Sequence, residues 1–315
     1  MTPLQRNAYY LLKPVIPVRI RSALRRWRAS ARREKYSSVW PIKPGSEHPP
    51  DGWTGWPEGR RFAFVLTHDV ESQLGVDRVR QLSELEMSLG FRSSFNFIPE
   101  GPYRVSPKLR HWLVDQGFEV GVHDLNHDGK LFRSREGFRR RAGRINHYLK
   151  EWNAVGFRAG FMHHNLPWIH DLNVAYDAST FDTDPFEPQP DGVDTIFPFW
   201  VAGSDGGGYV ELPYTLVQDF NLFVILQEKT PEIWKTKFEW IAAHGGMALV
   251  VVHPDYTSFD GAHLAHNEFP VSLYQEFLQW VKARSLEACW YSLPRDVADF
   301  YRKVEFARRT SVVAE

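Results

Sequence analysis

Two histidines four residues apart, in the segment 121–129, could bind one metal ion. His123 follows an apolar run at residues 118–122, which predicts a buried strand. If the chain turns helically after that strand, His123 and His127 share one face and both imidazoles can reach the same ion. Imidazole suits Zn, Co, Ni and Fe. A catalytic ion also needs a third protein ligand, usually a carboxylate, and an open position for water.

Other polar residues follow predicted strands in the same way. Asp69 and Glu71 follow an apolar strand predicted at 62–67, and His253 follows one predicted at 247–252. Arg158 ends a short strand predicted at 155–158. Because active sites of parallel α/β folds lie at the carboxyl ends of the strands, we expect these side chains to converge on the histidines.

This set of residues predicts metal-assisted hydrolysis. Asp69 and Glu71 leave an extended chain on the same side, so one could bind the metal while the other acts as a base. His253 could serve as a general acid, and Arg158 could hold one carboxylate ionised through a bidentate contact. Taken singly, Asp69 could instead cap a helix and Arg158 could be a structural ion-pair partner. Their joint placement at strand ends favours the catalytic interpretation.

From residue 61 onwards, predicted strands alternate with predicted helices, which indicates a parallel sheet in an α/β barrel or a doubly wound domain. The predicted strands are 62–67, 93–98, 118–122, 155–158, 247–252 and 288–291. The predicted helices are 76–89, 106–116, 134–152, 165–173, 231–243, 271–284 and 293–306, with Ser106 and Ser134 as the N-caps of the second and third. Residues 197–202 and 209–212 flank a glycine cluster and predict a hairpin.

Cysteine usage and hydropathy bound the cellular setting. Cys289 is the single cysteine of the 315 residues, which excludes a disulfide scaffold and a cysteine-based zinc site. No apolar run approaches the ~20 residues that span a bilayer. The apolar residues near the start of the sequence are too few for a signal-peptide core. We therefore expect a cytoplasmic protein.

The net charge is zero, but residues 1–35 hold ten Lys or Arg and one acid, so the remainder has nine more acidic than basic residues. The pattern predicts an amphipathic basic helix at 18–35. It could lie peripherally on the inner face of an anionic membrane, with Trp27 among its apolar residues, or pack on its own body. We expect no nucleic-acid partner. We divide the chain into this arm and a Pro/Gly/Trp-rich connector (1–60), a barrel domain (61–306) and a tail (307–315).

The order and spacing of these motifs resemble those of the polysaccharide deacetylases, the NodB-homology enzymes of carbohydrate esterase family 4. Residues 67–71 (Thr-His-Asp-Val-Glu) resemble the first motif and residues 123–127 the second. Residues 158–161 match the third loosely, and residues 250–253 match the fifth. The resemblance spans about residues 60–300, with 176–179 as a candidate fourth motif. It implies a distorted (β/α)7 barrel.

The resemblance also implies roles for individual residues. Asp69 would be the general base, and His123 and His127 would hold the metal. Val70 stands where the family has its metal-binding carboxylate, and Glu71 follows one residue later. The arrangement resembles that of bacterial deformylases of lipid-linked aminoarabinose, which would make Glu71 the ligand. Asp69 as the ligand, with Glu71 peripheral, stays open.

The third motif lacks its proline, which bears on the oxyanion contact that the family makes through the backbone amide at position 161. The function implied is a hydrolase of linear amides that removes an N-acetyl or N-formyl group from a sugar. It would depend on a divalent metal ion, Zn first and Co, Ni or Fe as alternatives. A nucleotide-linked or lipid-linked sugar of surface-polysaccharide synthesis fits as the substrate. The alternatives are another linear-amide hydrolase on the same barrel, and a non-catalytic carbohydrate-binding or scaffolding protein.

Overall fold

The computed structural model describes residues 18–204, 206–261, 264–284 and 287–313. The first 17 residues of the predicted basic arm and the last two of the predicted tail lie outside this part of the chain. None of the described helices is long and apolar enough to cross a membrane.

The centre of the molecule is a curled, nearly all-parallel sheet of nine strands. The strands are β1 (Phe62–Val70), β2 (Ser94–Phe97), β3 (Glu119–His123), β4 (Gly156–Arg158), β5 (Tyr176–Asp177), β6 (Phe199–Ala202), β7 (Gly208–Glu211), β8 (Met247–Val252) and β11 (Cys289–Ser292). The short strands β9 (Thr257–Ser258) and β10 (Phe269–Pro270) form a separate pair. Residues of β1 and β8 are buried throughout, which explains the uninterrupted apolar runs at 62–66 in β1 and along the whole of β8.

The sheet curls so that the chain beyond its far strands returns to β8, the neighbour of β1. β1 pairs with β8 along one edge, and with β11 and then β2 along the other. The order continues through β3, β4, β5 and β7, and β6 adds the predicted antiparallel hairpin. Beyond β7 the chain runs on to Leu216, which bridges Val250 of β8. The predicted distorted barrel is therefore confirmed.

Helices cover the outside of the sheet. They are α1 (Val18–Lys35), α2 (Gln73–Leu89), α3 (Pro107–Asp115), α4 (Arg135–Trp152), α5 (Leu166–Ile169), α6 (Glu232–His244), α7 (Val271–Arg284) and α8 (Pro294–Val313), with a π-helical segment at Phe220–Ile225. Ser106 and Ser134 accept backbone N–H groups at the starts of α3 and α4, as predicted for N-caps. The helix predicted at 165–173 is wrong beyond Ile169, because α5 ends there.

The aromatic residues of the predicted connector belong to the core. Trp40 and Trp56 are each 4% exposed, and Trp53 packs edge-on against Trp56 and stacks on Tyr301 of α8. The connector thus contributes apolar surface to the barrel rather than simply spanning a gap. Helix α8 continues past residue 306 to Val313, so no break marks the start of the predicted tail. The division into three segments stays a prediction.

Candidate metal centre and active site

The first strand extends further than predicted and carries the first carboxylate itself. β1 ends at Val70, three residues beyond the predicted end, so Asp69 lies within the strand and Glu71 follows it directly. The two-residue spacing has the predicted effect, because both carboxylates line one cavity at the carboxyl end of the barrel.

The two histidines converge, although not by the predicted helical turn. β3 ends at His123, and Asp124 and His127 both adopt left-handed backbone conformations, with φ of 55° and 53°. This loop folds His127 back, so the two imidazole centroids lie 4.8 Å apart. The helical-turn argument was therefore wrong, whereas the expected meeting of the rings occurs.

Gly160 makes room for this histidine loop. A Cβ atom at Gly160 would lie 2.6 Å from Cδ2 of His127 and 2.8 Å from Oδ2 of Asp124, closer than real Cβ contacts. The next residue, Phe161, stacks on the imidazole of His127 with centroids 4.4 Å apart. Gly160 stands where the family motif has proline, so the departure in the third motif lets the backbone pass beneath His127.

Three side chains form a group suited to a metal ion. Ligand atoms of Glu71, His123 and His127 all lie within 4.8 Å of one another. His123 Nδ1 lies 3.1 Å from the carbonyl oxygen of Arg158, so this nitrogen carries the proton and Nε2 keeps its lone pair. His127 Nε2 lies 3.2 Å from Glu71 Oε1 but without hydrogen-bond geometry.

The two Nε2 atoms supply the test of fit for a metal. Both are buried and have no hydrogen-bond partner among the described residues, which is costly for polar atoms unless something binds them. Two imidazole nitrogens and one carboxylate are a donor set that Zn²⁺ and neighbouring divalent ions accept. The group therefore fits a divalent ion, and its carboxylate is Glu71.

Tyr256 leaves one oxygen of Glu71 facing the histidines. Its hydroxyl donates to Glu71 Oε2 at 2.6 Å, while Oε1 is the atom nearest His127. Burial raises the pKa of Glu71, but His127 outweighs burial and brings the pKa below its ordinary value. The carboxylate is therefore ionised in this structure.

Asp69 is held by a different set of contacts. Its Oδ1 accepts from Asn96 Nδ2 at 3.0 Å and from Arg158 Nη1 at 3.2 Å, and Oδ2 lies 3.9 Å from His123 Nδ1. The same Nη1 of Arg158 donates to Thr67 Oγ1 at 2.8 Å, so the predicted bidentate contact with Asp69 is wrong. Burial raises the pKa of Asp69, but Arg158 and the nearby histidines lower it to about 2.

His253 is oriented by a carboxylate that the sequence did not reveal. Its Nδ1 lies 2.6 Å from Asp219 Oδ1, and its backbone N–H donates to Asp219 Oδ2 at 2.7 Å. Nε2 points toward the site, 3.9 Å from Glu71 Oε1. Burial lowers the pKa of His253, but Asp219 outweighs burial and raises it to about 10. His253 is therefore an imidazolium that faces the cavity through Nε2.

Asn96 and Asp219 are the site residues that sequence reasoning missed. Asn96 lies between Phe95 and Phe97 in a buried strand that also contains Ser94, and Asp219 comes two residues after an apolar stretch that ends at Val217. Asp219 repeats the signal used for His253, a polar side chain that follows an apolar segment, whereas Asn96 lies inside its strand. Cys289 is buried in the core, and the buried carboxylate of Asp182 pairs with Lys237.

The cavity has a volume of about 240 Å³ and is lined partly by α1. Asp69, Glu71, His123 and His253 contribute from the barrel, and α1 adds arginines that the sequence did not connect with the site. The described part of the predicted arm, residues 18–35, therefore packs on the body of the protein, one of the two positions that its composition allowed.

By sequence, no protein-family model and no curated protein matches this chain. By structure, it is similar to a putative polysaccharide deacetylase from Mycobacterium smegmatis, with a TM-score of 0.63 at 18% identity. That match covers 82% of this chain and 96% of the other. The chain has the polysaccharide deacetylase fold.

Two further structures are more weakly similar to this chain. One is the peptidoglycan deacetylase PdaC from Bacillus subtilis, with a TM-score of 0.45, 11% identity, and coverage of 81% of this chain and 98% of that one. The other is a putative polysaccharide deacetylase involved in O-antigen biosynthesis from Bordetella bronchiseptica, with a TM-score of 0.44, 15% identity, and coverage of 74% and 85%. The similarity to the Mycobacterium smegmatis structure confirms, at the level of the fold, the resemblance seen in the motifs.

Proposed function

We propose that this protein is a metal-dependent hydrolase that removes an N-acetyl or N-formyl group from a sugar. One observation carries the proposal: the hydrogen-bond-free Nε2 atoms of His123 and His127 face Glu71 in a cavity that also holds Asp69 and His253. This combination offers metal ligands, an ionised carboxylate and a protonated imidazole to a single bound substrate.

Glu71, His123 and His127 are the ligands in this proposal, with Zn as the first choice and Co, Ni or Fe as alternatives. When bound, such an ion lowers the pKa of water and polarises an amide carbonyl. Asp69 is left out of the ligand set because it is not among the residues whose ligand atoms all lie within 4.8 Å of one another. We therefore propose Glu71, rather than Asp69, as the carboxylate ligand, a choice that the sequence left open.

Asp69 acts as the general base that takes a proton from the attacking water, and Arg158 keeps its carboxylate ionised and oriented. His253 donates a proton from Nε2 to the leaving amine, while Asp219 holds Nδ1–H in place. A backbone N–H at Phe161 that stabilises the oxyanion stays a prediction.

The proposed substrate is a sugar on a nucleotide or lipid carrier, in surface-polysaccharide synthesis. A peripheral contact of α1 with an anionic membrane is part of this proposal. It is supported by the exposure of Leu24 (47%) and Trp27 (69%) on a strongly basic helix. Replacing Trp27 with Ser should weaken co-sedimentation with phosphatidylglycerol vesicles. Unchanged sedimentation would remove the membrane from the proposal. The cytoplasmic location stays a prediction.

The deciding experiment measures bound metal and deacylation together. Purified protein should contain close to one Zn, Co, Ni or Fe per chain by elemental analysis, and His127→Ala should lose it. His147→Ala is the matched control, because His147 is 71% exposed on α4, outside the metal-binding group. Wild-type protein should also release free amine from N-acetylated or N-formylated amino sugars.

Asp69→Asn separates the hydrolase from the non-catalytic alternative. In a hydrolase it abolishes amine release and leaves sugar binding intact. Wild-type protein that binds no metal after addition of each ion would instead favour a carbohydrate-binding or scaffolding protein. A substrate screen that finds activity only on non-sugar amides would favour the other linear-amide hydrolase.

A further inference from the structure

Helix α1 is fastened to the barrel beside the cavity by arginine side chains. Arg26 Nε donates to the carbonyl of Val224 at 3.2 Å, and its Nη2 donates to that of His266 at 3.0 Å. Arg33 forms an ion pair with Glu228 at 2.5 Å. These contacts reach segments that follow β7 and β8 in the chain, so α1 lies at the carboxyl end of the barrel.

A different set of arginines on the same helix lines the cavity itself. Arg25, Arg28 and Arg32 are spaced by three and four residues, which places them on one face of a helix. Ala29 lies on that face and is buried. Arg26 and Arg33 therefore bind α1 to the barrel. The three arginines of the other face line the cavity, together with Asp69, Glu71 and His253.

Two of the three arginines on this face, Arg28 and Arg32, have no carboxylate partner among the described residues. Arg28 is exposed and forms no hydrogen bond or ion pair with the described residues. Arg32 donates from Nη1 to the carbonyl of Pro185 at 2.8 Å, and no carboxylate of the described residues pairs with it. Uncompensated guanidinium groups at the mouth of a cavity attract and orient anions.

The spread of these groups indicates the kind of anion. Seven residues separate Arg25 from Arg32, which is about 10 Å along a helix. That length exceeds a single carboxylate and matches a phosphate or diphosphate with the sugar that it carries. Guanidinium groups bind phosphate oxygens through paired N–H donors. A neutral acylated sugar would use none of these three charges.

We propose that Arg25, Arg28 and Arg32 form a binding site for a phosphate or diphosphate group attached to the sugar substrate. The inference rests on the proposed function, because it names the substrate class of the same cavity. A sugar nucleotide and a polyprenyl-phosphate sugar share this chemistry, and the experiment separates them.

Binding of inorganic pyrophosphate provides a test that does not depend on catalysis. Full-length protein is stripped of metal with a chelator that is then dialysed away, and titrated by calorimetry at low salt. We expect saturable binding that Arg28→Gln weakens about tenfold and Arg25→Gln/Arg28→Gln weakens further. Lys35→Gln is the matched control, since it removes one charge from the same helix at an exposed position outside the cavity. It should bind pyrophosphate as wild type does.

Three results would overturn the inference: no pyrophosphate binding to wild-type protein, equal binding by wild type and the double variant, or equal weakening in Lys35→Gln. UDP and geranyl phosphate are then compared as competitors. Tighter binding of UDP than of pyrophosphate assigns the site to a nucleotide carrier, and tighter binding of geranyl phosphate assigns it to a lipid carrier.

The outcome is separable from that of the proposed function. Arginine-dependent pyrophosphate binding without any deacylation would leave the anion site standing and reject the hydrolase. Hydrolysis of a neutral N-acylated methyl glycoside, with no pyrophosphate binding, would keep the hydrolase and reject the anion site. If both hold, Arg28→Gln should raise KM for the sugar 1-phosphate and leave KM for the methyl glycoside unchanged.

Discussion

Two pairs of carboxylates lie close to the same cavity and have opposite surroundings. Three of the four are buried, and Glu71 is partly exposed. Asp69 and Glu71 face histidines and Arg158, all of which can carry positive charge. Asp184 and Glu187 instead share uncharged donors. The hydroxyl of Tyr214 lies 2.9 Å from each, and Nδ2 of Asn221 lies 3.1 Å and 2.9 Å from them.

The difference in partners reverses the effect of burial. Burial raises the pKa of every one of these groups, but cationic partners outweigh it and lower the pKa of Asp69 to about 2. For Glu187, burial and the neighbouring charge of Asp184 act in the same direction, and its pKa is raised. Burial thus acts on the pKa of these carboxyl groups in the same direction. The charge of the neighbouring side chains decides which of them stay ionised.

The largest effect is expected from Asp69→Asn. The amide cannot accept a proton, so deacylation should fall by about 10³-fold or more if Asp69 is the base. The matched variant Glu187→Gln also changes a buried carboxylate of the cavity and should retain activity within about tenfold. Rates of amine release at saturating substrate measure both. Equal losses in the two variants would mean that the contrast between the pairs has no catalytic meaning.

A carboxyl far from the cavity extends the comparison to stability. Glu119, at the start of β3, accepts from the hydroxyl of Tyr176 at 2.8 Å, and burial raises its pKa to about 7. The folded state therefore binds a proton that the unfolded state releases above its ordinary pKa of 4.5. Protonated Glu119 stabilises the folded state fully below pH 4.5, and this stabilisation is lost as the pH rises through 7. The free energy of unfolding therefore decreases by up to about 3 kcal/mol over this pH range.

Urea denaturation across this pH range measures the decrease, and Glu119→Gln should flatten it. The uncharged amide has nothing to titrate, so the variant should show a smaller slope between pH 4.5 and 7 than wild type. The same pH dependence of the free energy of unfolding in both proteins would mean that a group other than Glu119 titrates in this range.

Asp219→Asn should have an intermediate effect on catalysis. Asp219 holds His253 and raises its pKa, so its loss should lower kcat by about 10 to 10²-fold. Because a general acid must be protonated, the alkaline limb of the pH–rate profile should move to lower pH. The exposed carboxylate Asp299, changed to Asn, is the control. A lower kcat with an unmoved limb would indicate a merely structural role.

The smallest effect is expected from Glu187→Gln on stability. A neutral carboxylic acid and an amide make similar hydrogen bonds, so the free energy of unfolding at pH 7 should change by less than about 1 kcal/mol. Asp69→Asn should cost more, because it leaves the buried guanidinium of Arg158 without its counterion. Denaturation of the two variants side by side gives the comparison. A larger loss for Glu187→Gln would show that Glu187 is ionised.

Local patterns in the sequence determined much of the barrel and the identity of its site. The strand predicted at 247–252 and the helix predicted at 271–284 match β8 and α7, because burial on both faces and helical periodicity leave direct marks on residue order. The serine caps of α3 and α4 match for the same reason, since a cap bonds only to its own first turn. The site residues were found because each ends an apolar segment.

Only the tertiary structure decided how those residues are used. Asp219 meets His253 across 34 positions, and the arginines of α1 reach carbonyls about 200 positions away, so no periodicity records either contact. The position of the His127 side chain depends on Gly160 in another loop, where a Cβ atom would lie 2.6 Å from Cδ2 of His127. Glu71 rather than Asp69 belongs to the proposed metal-binding group because the fold brings its carboxylate within 4.8 Å of ligand atoms of both His123 and His127. The sequence states which residue occupies each position. Charge states and ligand sets depend instead on which distant groups the fold brings within hydrogen-bonding distance.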